Sequence, residues 1–110
     1  MENQVQLIGR LGMNPEAKQI NDTVKTSFTI ATNTVYKDGE GNKKTLTDWH
    51  NIVAWGGLAT TMEQFLKKGD KVGISGRLVT RSYETEDGTK RYFTEVIAKD
   101  MLMLGGKKTD

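Results

Sequence analysis

The sequence has no cysteine, one proline and one histidine in 110 residues. Without cysteine there are no disulfides and no thiolate metal sites, and a reducing compartment is the expected setting. A lone histidine needs partners to bind a metal or move a proton, so His50 is expected to serve structure or an interface. No Gly-rich loop runs into Lys-Ser or Lys-Thr as a phosphate cradle would require. No apolar run approaches a membrane span. The start, Met1-Glu2-Asn3-Gln4, lacks the basic region and apolar core of a signal peptide. A soluble cytoplasmic protein with no cofactor, no metal and no membrane partner is expected. Charge of one sign is scarce too: 16 basic and 14 acidic residues leave a formal +2. A polyanionic partner would have to be held by charges gathered on one face. Most carboxylates fall in turn-like stretches (Asp38, Glu40, Glu84, Glu86, Asp87), where they serve solubility, and Asp48 and Glu95 are expected to make local ion pairs. Catalytic chemistry is therefore not expected.

What is present is strand pattern. The length suits one domain, set at residues 1–105, with 106–110 as a short flexible end. Only one segment has helical period: Leu58, Met62, Phe65 and Leu66 form an apolar stripe, Lys67 and Lys68 are placed in its last turn, and Gly69 stops it. Apolar alternation marks strands around Val5, Leu7 and Leu11, around Phe28, Ile30 and Thr32, from about 48 to 55, around Val72, Ile74 and Leu78, and from about 91 to 104. Turn chemistry separates them at Asn14-Pro15, at Lys37-Asp38-Gly39-Glu40-Gly41 and at Asp87-Gly88. Polar loops are expected over about 37–47 and 84–90. Five strands with one helix between the third and fourth is the plan of the all-β OB-fold, a five-stranded Greek-key barrel. Gly9-Arg10-Leu11 recurs as Gly76-Arg77-Leu78, too short a match to make a repeat.

Two strands carry candidate binding groups. In the fourth, Val72, Ile74, Gly76 and Leu78 share the expected core face, which leaves Arg77, Val79, Arg81 and Tyr83 on the other. Arginine matches phosphate by charge and by its planar fork, and tyrosine offers a flat face to a base. Read alone, this is better taken as a solvated sheet face with one incidental aromatic. In the third, Trp49, Asn51, Val53 and Trp55 alternate with His50, Ile52 and Ala54. The two tryptophans would stand about 20 Å apart along the strand. Each taken singly reads as core. If the His50 side is the core, both face outward among basic residues, as sequence-tolerant binding of an unpaired strand requires. Strict alternation puts Tyr36 on the Phe28 and Ile30 side, and only a bulge or coil would turn it outward. Met101 to Leu104 reads as a closing strand or subunit contact.

Over essentially its whole length the chain resembles the bacterial-type single-stranded DNA-binding proteins. The resemblance is carried by Val5-Gln6-Leu7-Ile8-Gly9-Arg10-Leu11-Gly12, by Phe28-Thr29-Ile30-Ala31-Thr32 and by Asp48-Trp49-His50-Asn51-Ile52-Val53-Ala54-Trp55-Gly56. Phe65-Leu66-Lys67-Lys68-Gly69, Gly76-Arg77-Leu78 and Met101-Leu102-Met103-Leu104-Gly105-Gly106 follow in order. It implies sequence-independent binding and protection of single-stranded DNA in replication, recombination and repair. Bases would stack on Tyr36, Trp49, Trp55 and Tyr83, with Arg10, Lys37, Lys68 and Arg81 as basic positions beside Arg77. It implies a homotetramer, with first-strand pairing through Val5 and Leu7 and with His50 near subunit contacts. Asn51, Gly57 and Val79 depart from the family, which often has Lys or Arg there. Longer members end in a Gly- and Pro-rich linker with an acidic tip that recruits other proteins. This sequence ends Lys107-Lys108-Thr109-Asp110, so recruitment through an acidic tail is not expected. Two rival readings remain: a dimeric OB-fold accessory protein of replication restart, against which the full set of aromatics counts, and a protein-docking adaptor, whose nucleic-acid binding would be weak and insensitive to salt.

Overall fold

Six strands and one helix make up residues 2–104, the part of the chain described by the computed structural model. In chain order they are β1 (Val5–Leu11), β2 (Glu16–Ile20), β3 (Thr23–Lys37), β4 (Lys43–Trp55), α1 (Gly56–Phe65), β5 (Lys71–Glu84) and β6 (Lys90–Leu104). Five of the strands close a barrel in the order β1-β3-β4-β6-β5-β1. Closure is made by β1, which pairs antiparallel with β5 from Val5–Gly76 to Arg10–Lys71, then with β3 at Arg10–Ala31 and Leu11–Ile30. β4 and β6 run parallel at Ile52–Val96 and Val53–Ile97. This is the expected OB-fold, with α1 between the third and fourth barrel strands.

β2 is an element that the pattern did not disclose. It has five residues, four of them exposed, so apolar alternation is missing. It folds back onto β3 through Asn21-Asp22, and Asn21 takes the left-handed conformation (φ 55°) that asparagine tolerates in tight turns.

The interior is filled by alternate residues of the barrel strands. Ile30, Ile52, Ala54 and Val72 have no exposed surface, and Leu11, Phe28, Ile74 and Val96 have almost none. Ser75 faces Asp100 whereas Gly76 faces Ala98, so Lys99 is an extra residue on β6, a bulge that lets the long β5–β6 ladder curl. Glycine is needed there: a Cβ on Gly76 would stand 2.9 Å from the carbonyl carbon of Ile97.

The helix plugs one end of the barrel with Ala59 and Met62, both fully buried, and Thr26 Oγ1 donates to the Ala59 carbonyl (2.9 Å). Two details differ from the sequence reading. Phe65 is exposed, while Leu66, one turn after the buried Met62, closes the core at the point where the chain leaves the helix in an extended conformation (φ −104°, ψ 149°). Lys67 and Lys68 consequently lie beyond the helix, in a turn whose Gly69 N–H donates to the Leu11 carbonyl (2.8 Å).

The expected polar loops are mostly strand. β3 and β4 pair without interruption from Lys25–Trp55 to Lys37–Lys43, leaving a turn of only 38–42. β5 and β6 pair out to Glu84–Lys90. Both ribbons extend past the core as arms exposed on both faces. A residue at a core-parity position on an arm has no core to enter. Hence Tyr36 is 48% exposed; Leu78, expected inside, stands at the barrel rim opposite Val96 and is 46% exposed. Residues 106–110, expected to be a flexible end, lie outside the described residues.

Candidate nucleic-acid interface

Alternation along β4 settles the two readings of its tryptophans. Ile52 and Ala54 point into the core with no exposed surface, while Trp49 (61% exposed) and Trp55 (42%) stand outside. Cross-strand register puts Ala31 opposite Trp49 and Lys25 opposite Trp55 on the same outer face. The Lys25 ammonium sits 5.6 Å from the Trp55 ring centroid, a cation held against an aromatic face. Arg10 pairs with Ala31 from the other side, so Arg10, Ala31 and Trp49 form one row across β1, β3 and β4. The Arg10 guanidinium also donates to the Gly69 carbonyl (3.1 Å).

The parallel pairing of Val53 with Ile97 carries this outer face onto β6 and then β5. There Phe93 lies opposite Arg81, Ile97 opposite Arg77 and Arg91 opposite Tyr83. Arg77 is exposed and Tyr83 is 55% exposed. Between the two halves runs a groove lined by Lys25, Asn51, Val53, Arg81, Phe93 and Glu95, among others. Val53, though outward, is only 4% exposed because it forms part of the groove floor. Glu95 is 6% exposed and makes the expected ion pair, with Arg81 at 3.3 Å. The Arg81 guanidinium also lies 5.3 Å from the Phe93 ring centroid.

The fold thus brings Arg10, Trp49, Trp55, Arg77, Arg81 and Tyr83 to one outer face. Lys37 shares the tryptophans' side of the β3–β4 ladder but lies at the arm's end, opposite Lys43. Tyr36 pairs with Lys44 in a ladder with no register shift, so it keeps core parity and stands on the opposite side of the arm from the tryptophans. Lys68 lies in the turn after α1, where its backbone N–H donates to Asn14 Oδ1 (2.8 Å). Lys25, Phe93 and the groove position of Glu95 were missed by the sequence reading. Phe93 and Glu95 follow from applying to β6 the alternation used on β5. Lys25 needs the β3–β4 register, which a single strand does not reveal.

The expected interface residues divide. Val5 and Leu7 turn their side chains onto the core, while Ile8 is 60% exposed beside Leu102 at 65%, the two joined across the sheet through Gly73. Among the described residues, the backbone edge of β1 away from β5 has no strand partner between Val5 and Gly9. His50 is partly buried, with Nε2 2.9 Å from Thr32 Oγ1.

A profile of the Single-strand binding protein family matches residues 2–104. The chain belongs to that family. Among its relatives, it is 48% identical over 107 residues to Single-stranded DNA-binding protein 1 of Chlorobaculum tepidum, covering 96% of this chain and 66% of that protein. It is 43% identical over 108 residues to Single-stranded DNA-binding protein 1 of Xylella fastidiosa, covering 96% and 79%. The chain therefore spans roughly two thirds to four fifths of the length of these two family members. A solved structure, a Plasmodium falciparum SSB complex with ssDNA, superimposes with a TM-score of 0.88 at 33% identity, over 94% of this chain and 96% of that one. No helix among the described residues is long and apolar enough to cross a membrane.

Proposed function

We propose that this chain binds single-stranded DNA without reading its sequence, serves replication, recombination and repair by protecting exposed strands in the cytoplasm, and catalyses no reaction. The observation that carries the reading is the shared outer face of Trp49 and Trp55, both exposed, with Lys25 against one and Arg10 in line with the other. Every base has a face that can stack on an aromatic, and every nucleotide brings a phosphate to a cation. Tyr83 and Arg77 extend the same chemistry along β5. The Plasmodium structure, solved with single-stranded DNA, supports the choice of ligand.

The working form is a homotetramer. The open edge of β1 offers main-chain groups to a second copy, and the exposed row of Ile8 and Leu102 is apolar surface that assembly would cover.

Titration of the intrinsic tryptophan fluorescence with oligo-dT at several salt concentrations tests the reading. Quenching is expected, with log affinity falling against log salt by about 0.7 per phosphate neutralised, and duplex of the same length should bind much more weakly. Equal affinity for duplex and single strand would overturn it. Salt-insensitive, weak binding would favour the protein-docking adaptor.

A further inference from the structure

The outer face carries an aromatic beyond those that the resemblance implies. Phe93 on β6 is 37% exposed although a residue directly opposite Arg81 could have been polar without disturbing the core. Tyr83 is its diagonal neighbour, since Tyr83 pairs with Arg91 and Arg81 pairs with Phe93 on the same side of the ladder. Diagonal positions on one face of an antiparallel pair lie about 7–8 Å apart, within reach of aromatic side chains. A cleft opens between them, lined by Arg81, Ser82, Tyr83 and Phe93. From these positions we infer that Phe93 and Tyr83 form a two-aromatic slot that takes one base of the bound strand, with Arg81 at its foot for the adjoining phosphate. The slot rests on the single-strand reading given above.

Three features fit a base better than they fit structural packing. Two rings flanking a cleft present a flat base with two stacking surfaces. Arg81 is fixed in direction rather than free: Glu95 accepts from its Nη2 at 3.3 Å, and its guanidinium lies 5.3 Å from the Phe93 ring. Its cation is thereby held beside the place where a stacked nucleotide's phosphate must pass. The cleft also continues the tryptophan face, because Arg81 and Phe93 line both it and the central groove. A strand laid across Trp49 and Trp55 can reach the β5–β6 arm without leaving aromatic and basic surface.

The test compares wild type, Phe93→Leu and Phe93→Tyr on oligo-dT and on an abasic phosphodiester of the same length. Phe93→Leu keeps the apolar bulk and removes the ring, and thermal unfolding checks that it folds. Loss of one stack should lower oligo-dT affinity about fivefold or more, leave the abasic strand unaffected, and be restored by Phe93→Tyr. Unchanged oligo-dT affinity in Phe93→Leu would overturn the slot. So would an equal loss on the abasic strand, which would mean that Phe93 acts only by placing Arg81. Failure of the wild type itself to bind oligo-dT would instead strike the single-strand reading, so the two failures are separable.

Discussion

Trp49 lies directly against Gly12. A Cβ built on Gly12 would come within 2.9 Å of the indole Cη2 and 3.0 Å of Thr29 Oγ1. The missing side chain is what lets a largely exposed indole rest on the end of β1 with a fixed direction instead of sweeping through solvent. Gly12→Ala should therefore displace Trp49 and weaken oligo-dT binding by up to about 1–3 kcal/mol, the scale of one base–aromatic stack. Fluorescence emission and affinity should change together. A variant with native affinity would show that the ring's placement is not needed.

Trp55 sits where β4 ends and α1 begins, 42% exposed and outside the core. Trp55→Ala should keep a cooperative thermal transition and weaken binding by about 1–3 kcal/mol, while Trp55→Phe recovers most of the loss. Unfolding of Trp55→Ala would show that the ring supports the helix start.

The barrel was legible because burial on one side imposes a period of two, and Phe28, Ile30, Ile52, Ala54, Val72 and Ile74 obey it. The same rule read the tryptophans correctly once one face of β4 was assigned to the core. It failed where there is no inside. Leu78 and Tyr36 keep core parity at the rim and on an arm, and both are exposed. β2 was invisible because it buries almost nothing and owes its existence to main-chain bonds with β3. Lys25 was invisible for another reason: its meeting with Trp55 is a fact of register between two strands.

Ile8 and Leu102 belong to an exposed apolar row on the outside of the sheet. Ile8→Glu or Leu102→Glu should leave the fold intact, since neither is core, and shift light-scattering mass from the four-chain value to smaller species. A charge on a covered apolar surface loses its water without gaining a partner. An unchanged mass would place the subunit contacts elsewhere.

Asp87 shapes the tip of the β5–β6 arm. It accepts from the Thr85 hydroxyl and from the Thr89 backbone N–H, at 3.1 Å for the latter, and these bonds, the Thr85 one foremost, hold its carboxyl below the ordinary 3.8. The charged form is the one bonded, so its contribution is complete above the ordinary carboxylate value. It is lost as pH falls through the depressed value. Titration followed at the Asp87 side-chain carbon should give a midpoint below 3.8, with tip amides exchanging faster only at lower pH. A midpoint at or above the ordinary value would mean that these bonds do not persist in solution.

Arg81 and Glu95 separate binding from stability. Glu95 is 6% exposed on the groove side, and its carboxylate accepts from Arg81. Arg81→Ala removes a cation near the strand's path and also leaves a buried carboxylate without its partner. It should lower affinity for all sequences alike, flatten the salt slope by about 0.7, and destabilise the fold by on the order of 1–3 kcal/mol. Arg77 has no such carboxylate opposite, facing Ile97 instead. Arg77→Ala should thus reproduce the change in salt slope with almost no change in melting temperature. Adding Glu95→Gln to Arg81→Ala removes the stranded charge, so stability should return in part while the salt slope stays flat. Were the double variant to regain the wild-type slope, Arg81 would be holding Glu95 in place and not a phosphate.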